Sequence, residues 1–241
     1  GMRLTTAGEL FVRYIRSRSA ELDGVRSQIE ELKGKRRGTV RIVASQALAP
    51  VCLPGAVSSF RAAHPLVSFE VTFGDHLEAL RAFDVDLALV FNLAPEADIE
   101  SIRQFDQPLV ALMHRSHPLA GQPRVYLRDC ADYPVVLPDR DIGGRQLLER
   151  FMTRSSIKLH PMVESNSFEF LRGCLYYQQA ISFQIAIGAV TEGGELVARQ
   201  LEDRHFPRGK LVLASLRHRQ LPVIAHAFVE HIQQALAAAE A

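Results

Sequence analysis

Tryptophan is missing from this 241-residue chain, and only three cysteines occur. Cys52, Cys130 and Cys174 are widely separated and set in apolar surroundings, so neither a disulfide framework nor a metal knuckle is suggested. A reducing cytoplasm suits them best. No run of about 18 apolar residues is available to cross a bilayer, and the N-terminus lacks a secretory apolar stretch. An excess of one charge is absent too: the formal net charge is +1, which argues against a surface that coats nucleic acid along the whole chain. Enzyme signatures are lacking, with no G-x-S-x-G, no P-loop and no H-E-x-x-H. His114 and His117 are three apart, but Pro118 and Gly121 place them in a loop with no further ligands nearby, so no metal or other cofactor is expected. Asp139 and Asp141 share a turn without a nucleophile beside them. The expectation is a binding module, not an enzyme.

What is present is uneven. Residues 2–38 carry nine Lys/Arg against five Asp/Glu, and the remainder nineteen against twenty-two, so the N-terminal arm is the basic part. From Thr5 to about Lys33 a long helical pattern places Leu4, Ala7, Phe11, Leu22, Val25, Ile29 and Leu32 near a 3-4 alternation, with Arg18 interrupting the seam. Such a stripe cannot bury itself. It either pairs with a second copy, with Phe11, Leu22, Val25, Ile29 and Leu32 as dimerisation residues, or docks on its own globular part. Gly34 and Lys35 to Gly38 read as a helix stop and a solvated hinge.

The whole chain is 47% hydrophobic, enough for one large domain or two small ones. Thr39 to Ala44 is a buried strand ending at Ser45-Gln46, and Pro50 suits the first turn of the following helix, which Pro65 stops. Val67 to Phe73 is a strand closed by Gly74-Asp75, His76 to Phe83 a short helix, and Val85 to Phe91 a buried strand ending at Asn92. Leu109 to Met113, Val135 to Leu137, Leu159 to Glu164, Ala180 to Ile187, Leu196 to Leu201 and Lys210 to Leu216 read as further strands, and Leu221 to Ala239 as a final amphipathic helix. One device recurs: an apolar strand, small polar residues, then a helix N-terminus, at Ser45-Gln46, at Gly143-Gly144 and at Ser165-Asn166. If two subdomains face each other, those ends could line one cleft.

The segment Leu4-Thr5-Thr6-Ala7-Gly8 leading into a long helix, with Gly38 to Ser45, His64-Pro65, Asp86-Leu-Ala-Leu, His117-Pro118-Leu119-Ala120 and Glu164-Ser165-Asn166-Ser167 in order, resembles LysR-type transcriptional regulators. The resemblance covers essentially the entire chain. It implies an α/β fold: a two-subdomain, periplasmic-binding-protein-like regulatory domain preceded by a long linker helix. The expected organisation is 1–37 as the end of the DNA-binding region and the linker helix, 38–110 with 216–241 as subdomain I, and 111–215 as subdomain II. It further implies a cytoplasmic homodimer or homotetramer, a small-molecule effector in the cleft, and DNA bound only through a winged helix-turn-helix that would precede Leu4. Where the family commonly shows G-x-G-I, this chain has Gln178-Gln179-Ala180-Ile181.

By position in that architecture Ser45, Gln46, Asn92, Ser165 and Asn166 face the cleft, offering hydroxyl and amide donors that suit an organic anion. Gly143 opens the helix carrying Arg145, which is a candidate cationic clamp or else a solvated helix residue, and Phe183 and Gln184 stand on a strand whose end approaches the cleft, either one inward. Ser45 and Ser165 could instead simply cap helices. The competing readings are a solute-binding protein of a transport system, which needs export and no zipper-like helix, and a small α/β transferase.

Overall fold

The basic N-terminal stretch is a single helix, α1 (Thr6–Leu32), in the computed structural model, which describes residues 4–32, 36–49, 51–74, 77–177, 179–189 and 194–240. The expected features at Gly34, Lys35, Pro50, Asp75, His76 and Gln178 lie outside the described residues. α1 meets the body through Arg16, whose guanidinium lies 3.0 Å from the Asp84 carboxylate. Its own globular part does not cover the apolar stripe: Phe11 is 64% exposed, Leu22 52%, Val25 51%, Ile29 46% and Leu32 89%.

β1 (Gly38–Ala44), α2 (Cys52–Ala63), β2 (Val67–Phe73), α3 (Glu78–Arg81) and β3 (Leu87–Phe91) follow, with β1 lying parallel between β2 and β3. The helix expected to reach Phe83 stops at Arg81, and Phe83 takes a left-handed backbone, φ 61°. β3 begins two residues later than expected. Asp86, just before it, turns its carboxylate back to accept from the Arg41 N–H at 2.9 Å.

The chain then adds β4 (Ile99–Gln107), β5 (Leu109–His114), β6 (Arg124–Val125), α4 (Leu127–Cys130), β7 (Val135–Pro138), α5 (Gly143–Arg154), β8 (Pro161–Ser165), α6 (Phe168–Tyr177), β9 (Ile181–Ile185), β10 (Leu196–Leu201), β11 (Gly209–Leu216) and α7 (Val223–Glu240). Two sheets result, ordered β2-β1-β3-β11-β4 and β6-β10-β5-β9-β7-β8. Ile187, expected at the end of a strand, lies instead in a 3-10 turn, Ala186–Gly188.

Sheet membership departs from the expected subdomain limits at both crossovers. Pro108 has no N–H to give a ladder, and the chain leaves the first sheet at Gln107 to enter the second at Leu109. On the return, β11 pairs antiparallel with β3 and β4, so it belongs to the first sheet and not to the segment ending at 215. A strand buried along nearly its whole length fits the middle of either sheet, and nothing in its own composition selects one. The main apolar core is continuous across the two lobes: Ala44, Ala47 and Phe91 of the first share it with Leu109, Phe183 and Ile185 of the second.

Candidate ligand site between the lobes

The strand ends of both sheets converge where the lobes meet. β1 delivers Ser45, β3 delivers Phe91, β7 delivers Pro138, and β9 delivers Phe183, Gln184 and Ile185. With Phe168 at the start of α6 they enclose a cavity of about 10 Å³, room for at most one water. The lobes are therefore closed on each other.

Three features hold them so. Gln46 Oε1 accepts from the Phe168 N–H at 3.2 Å, occupying one of the free amides at the α6 N-terminus. Gly188 sits against the Ala47 carbonyl so closely that an added Cβ would lie 2.5 Å from the oxygen, and a Cβ on Gly143 would overlap the Phe91 carbonyl. Neither glycine has the left-handed backbone that would by itself demand glycine; both are there for close approach. At the crossover, Gln107 Oε1 accepts from the Ile187 N–H at 3.0 Å, and the Pro108 carbonyl accepts from Ala186 N–H at 2.9 Å.

The expected residues fall into three groups. Ser45 is 3% exposed, lines the cavity, and makes no cap bond with its side chain, while its N–H donates to the Leu89 carbonyl at 2.9 Å. Gln46 is the latch just described, and Phe183 lines the cavity with Gln184 beside it. Asn92 and Gly143 border the contact between the lobes; Asn92 has φ 58° and donates its N–H to the Lys210 carbonyl at 2.7 Å. The third group is committed elsewhere. Ser165 Oγ accepts from the Ser167 N–H at 3.1 Å, and it is Ser167 whose hydroxyl caps α6, accepting from Phe170 N–H at 3.2 Å. Asn166 is exposed at that turn.

Arg145 differs most from its expected setting. It is only 2% exposed, neither a solvated helix residue nor part of the cavity wall. Its guanidinium donates to Glu149 and Glu164 at 2.7 Å each and to the Pro138 carbonyl at 3.0 Å, tying α5 to β7 and β8. A side chain seven residues beyond a strand end reads as a clamp or as a surface residue in sequence. Only the approach of Glu164 from the next strand makes it a buried brace.

Sequence reasoning left Gln184 undecided. The fold buries it to 2% exposure against the cavity and leaves its Nε2 without a hydrogen-bond partner among the described residues. A buried amide donor with nothing to donate to costs stability, which makes such groups informative. Gln184, Ser45 and the Phe168 N–H are all neutral donors, a set suited to an anionic or carbonyl oxygen. Nucleophilic chemistry is not offered by the cysteines near the core: burial pushes the Cys52 thiol up to about 11 and the Cys130 thiol up to about 12, so both are protonated at neutral pH.

Residues 33–237 match the family model described as the LysR substrate binding domain. The HTH-type transcriptional activator CmpR of Synechocystis sp. (strain ATCC 27184 / PCC 6803 / Kazusa) is 24% identical over 233 residues, covering 95% of this chain and 76% of that protein. The transcriptional dual regulator GltC of Bacillus subtilis (strain 168) is 33% identical over 140 residues, 56% of this chain and 47% of GltC. Among solved structures, the Synechocystis PCC6803 CcmR regulatory domain in complex with 2-PG superposes with a TM-score of 0.72 at 21% identity, covering 83% of this chain and 98% of that one. These relatives are described as transcriptional regulators, not enzymes.

Proposed function

Because this chain belongs to the LysR substrate binding domain family, we propose that it is the sensing part of a cytoplasmic transcriptional regulator whose lobes open and close on a small organic anion. The observation that carries the reading is the partnerless amide of Gln184, buried beside Ser45 and the α6 N-terminus at the lobe contact. Donors without a resident cation favour a carboxylate held by neutral groups, and the CcmR regulatory domain with 2-PG is a fold relative that holds a small ligand. Arg145 has no part in this, since its guanidinium is spent on Glu149 and Glu164.

A ligand of metabolite size needs a site of roughly 300 Å³ or more. The lobes must part to admit it, breaking the Gln46–Phe168 contact. Gln46 thus acts as an internal stand-in for the ligand's oxygen, and the ligand takes over the α6 N–H when it binds. The change in lobe angle would pass through α1, whose exposed stripe pairs with a second copy in a homodimer or homotetramer, to the winged helix-turn-helix that Leu4 to Gly8 imply. The transport reading finds no support among relatives described as regulators.

A thermal-shift screen of organic acids, amino acids and aromatic carboxylates tests this. A hit should raise the melting temperature of the wild type and have no effect on Gln184→Leu, while the unliganded variant melts no lower than wild type. A hit that shifts Gln184→Leu and Ser45→Ala as much as wild type places the ligand elsewhere.

A further inference from the structure

A second cavity is much larger than the one between the lobes. A crevice of about 780 Å³ lies between α1 and the first lobe, large enough for a metabolite with its water. Its α1 wall carries Arg16, Asp23 and Arg26. Its lobe wall carries Arg41, Asp84, Asp86 and Arg219, with Arg37 at the junction between α1 and β1. The lining as a whole has five arginines against three aspartates.

Part of this charge is paired. Arg16 bridges the walls to Asp84 at 3.0 Å, Arg26 stands 3.7 Å from Asp23 on its own helix, and Arg41 Nε reaches Glu70 at 2.9 Å outside the crevice. At the floor Arg219 lies 2.6 Å from Asp86, with side chains 8% and 2% exposed. That buried pair is under-compensated: Arg219 Nε has no partner, and burial lowers the Arg219 pKa and raises that of Asp86 despite the pairing. An anion in the crevice would favour the charged form of Arg219, the cationic excess of the lining offsetting its repulsion of Asp86.

We propose that this crevice is a second ligand site, separate from the cleft, which takes a small anion between Arg26 of α1, Arg37 just before β1, and Arg41 of the first lobe. Binding there draws the linker helix onto the first lobe, a second input to the same regulator. Either a carboxylate or a phosphate provides the negative charge.

Calorimetric titration of the full chain at pH 7.5 and low ionic strength, with inorganic phosphate and separately with succinate, tests the assignment. Saturable binding of at least one probe is expected at one per chain, weakened roughly tenfold by Arg26→Gln and by Arg37→Gln. Both side chains are exposed, so neither change threatens the fold. Gln184→Leu should leave this binding untouched, which separates it from the cleft. The probe that binds distinguishes phosphate from carboxylate. No saturable binding of either probe, unchanged binding in both arginine variants, or loss in Gln184→Leu would each overturn the proposal.

Discussion

Replacing Gly188 by alanine probes how tightly the lobes are closed. The new Cβ would stand 2.5 Å from the Ala47 carbonyl oxygen, about 0.9 Å inside the 3.4 Å at which contact becomes ordinary. The obstacle is backbone on a short turn of the opposite lobe, not the tip of a flexible side chain, so the strain cannot be shed by a rotamer change. Overpacking of this kind costs about 1–3 kcal/mol. Parting the lobes instead gives up the Gln46–Phe168 hydrogen bond, worth about 1 kcal/mol, along with burial of the cavity wall. For a chain of this size each kcal/mol lowers the melting temperature by about 2–4 °C, so a fall of roughly 2–12 °C is expected. Gly55→Ala is the control: that glycine lies inside α2 with nothing within 4 Å of an added Cβ. There, alanine should stabilise by up to about 1 kcal/mol through helix propensity. Small-angle scattering should also show Gly188→Ala with the larger radius of gyration. If Gly188→Ala melts with Gly55→Ala and scatters like wild type, the lobes are not in the contact described and the latch argument fails.

Arg145→Met removes a buried brace and leaves the Pro138 carbonyl without its donor, but Glu149 and Glu164 are 38% and 40% exposed and can be rehydrated. A loss of about 2 kcal/mol in urea unfolding is expected, with little change in affinity for a hit from the screen; a cationic clamp would show the reverse. Val25→Asp with Ile29→Asp should turn an α1-paired oligomer into a monomer by sedimentation without moving the thermal transition of the lobes, because both side chains are exposed in the single chain. Cys52 and Cys130 keep their protons in the folded protein above the ordinary value of 9.0, whereas the unfolded chain releases them. Their contribution to stability is therefore whole below pH 9 and declines as pH rises from about 9 towards 11 and 12, and native protein at pH 8 should leave both thiols unmodified by a disulfide reagent until denatured. Rapid labelling of Cys130 in native protein would contradict its burial; Cys52 is only half-buried.

Much of the order of strands and helices was legible in the residues themselves, though β4, β6 and α4 were not. Apolar runs such as Thr39 to Ala44 and Val85 to Phe91, broken by Ser45 and Asn92, point to a βα alternation because hydrophobic period and turn chemistry are local properties of the chain. The apolar stripe of α1 and its need for a partner are local in the same sense, set by spacing along one helix.

Partner choice was not local. β11 carries no mark of which sheet it joins, Arg145 none of the Glu164 carboxylate that meets it, and Gly143 and Gly188 none of the carbonyls that exclude a side chain there. Each depends on a segment distant in sequence, and hydrogen bonding and close packing are decided by whatever chain arrives alongside. The sequence by itself determined two lobes' worth of strands and helices and the polar ends among which a ligand could lie. Tertiary structure alone decided that those ends close on a donor with no partner among the described residues, and that the larger empty space lies beneath α1.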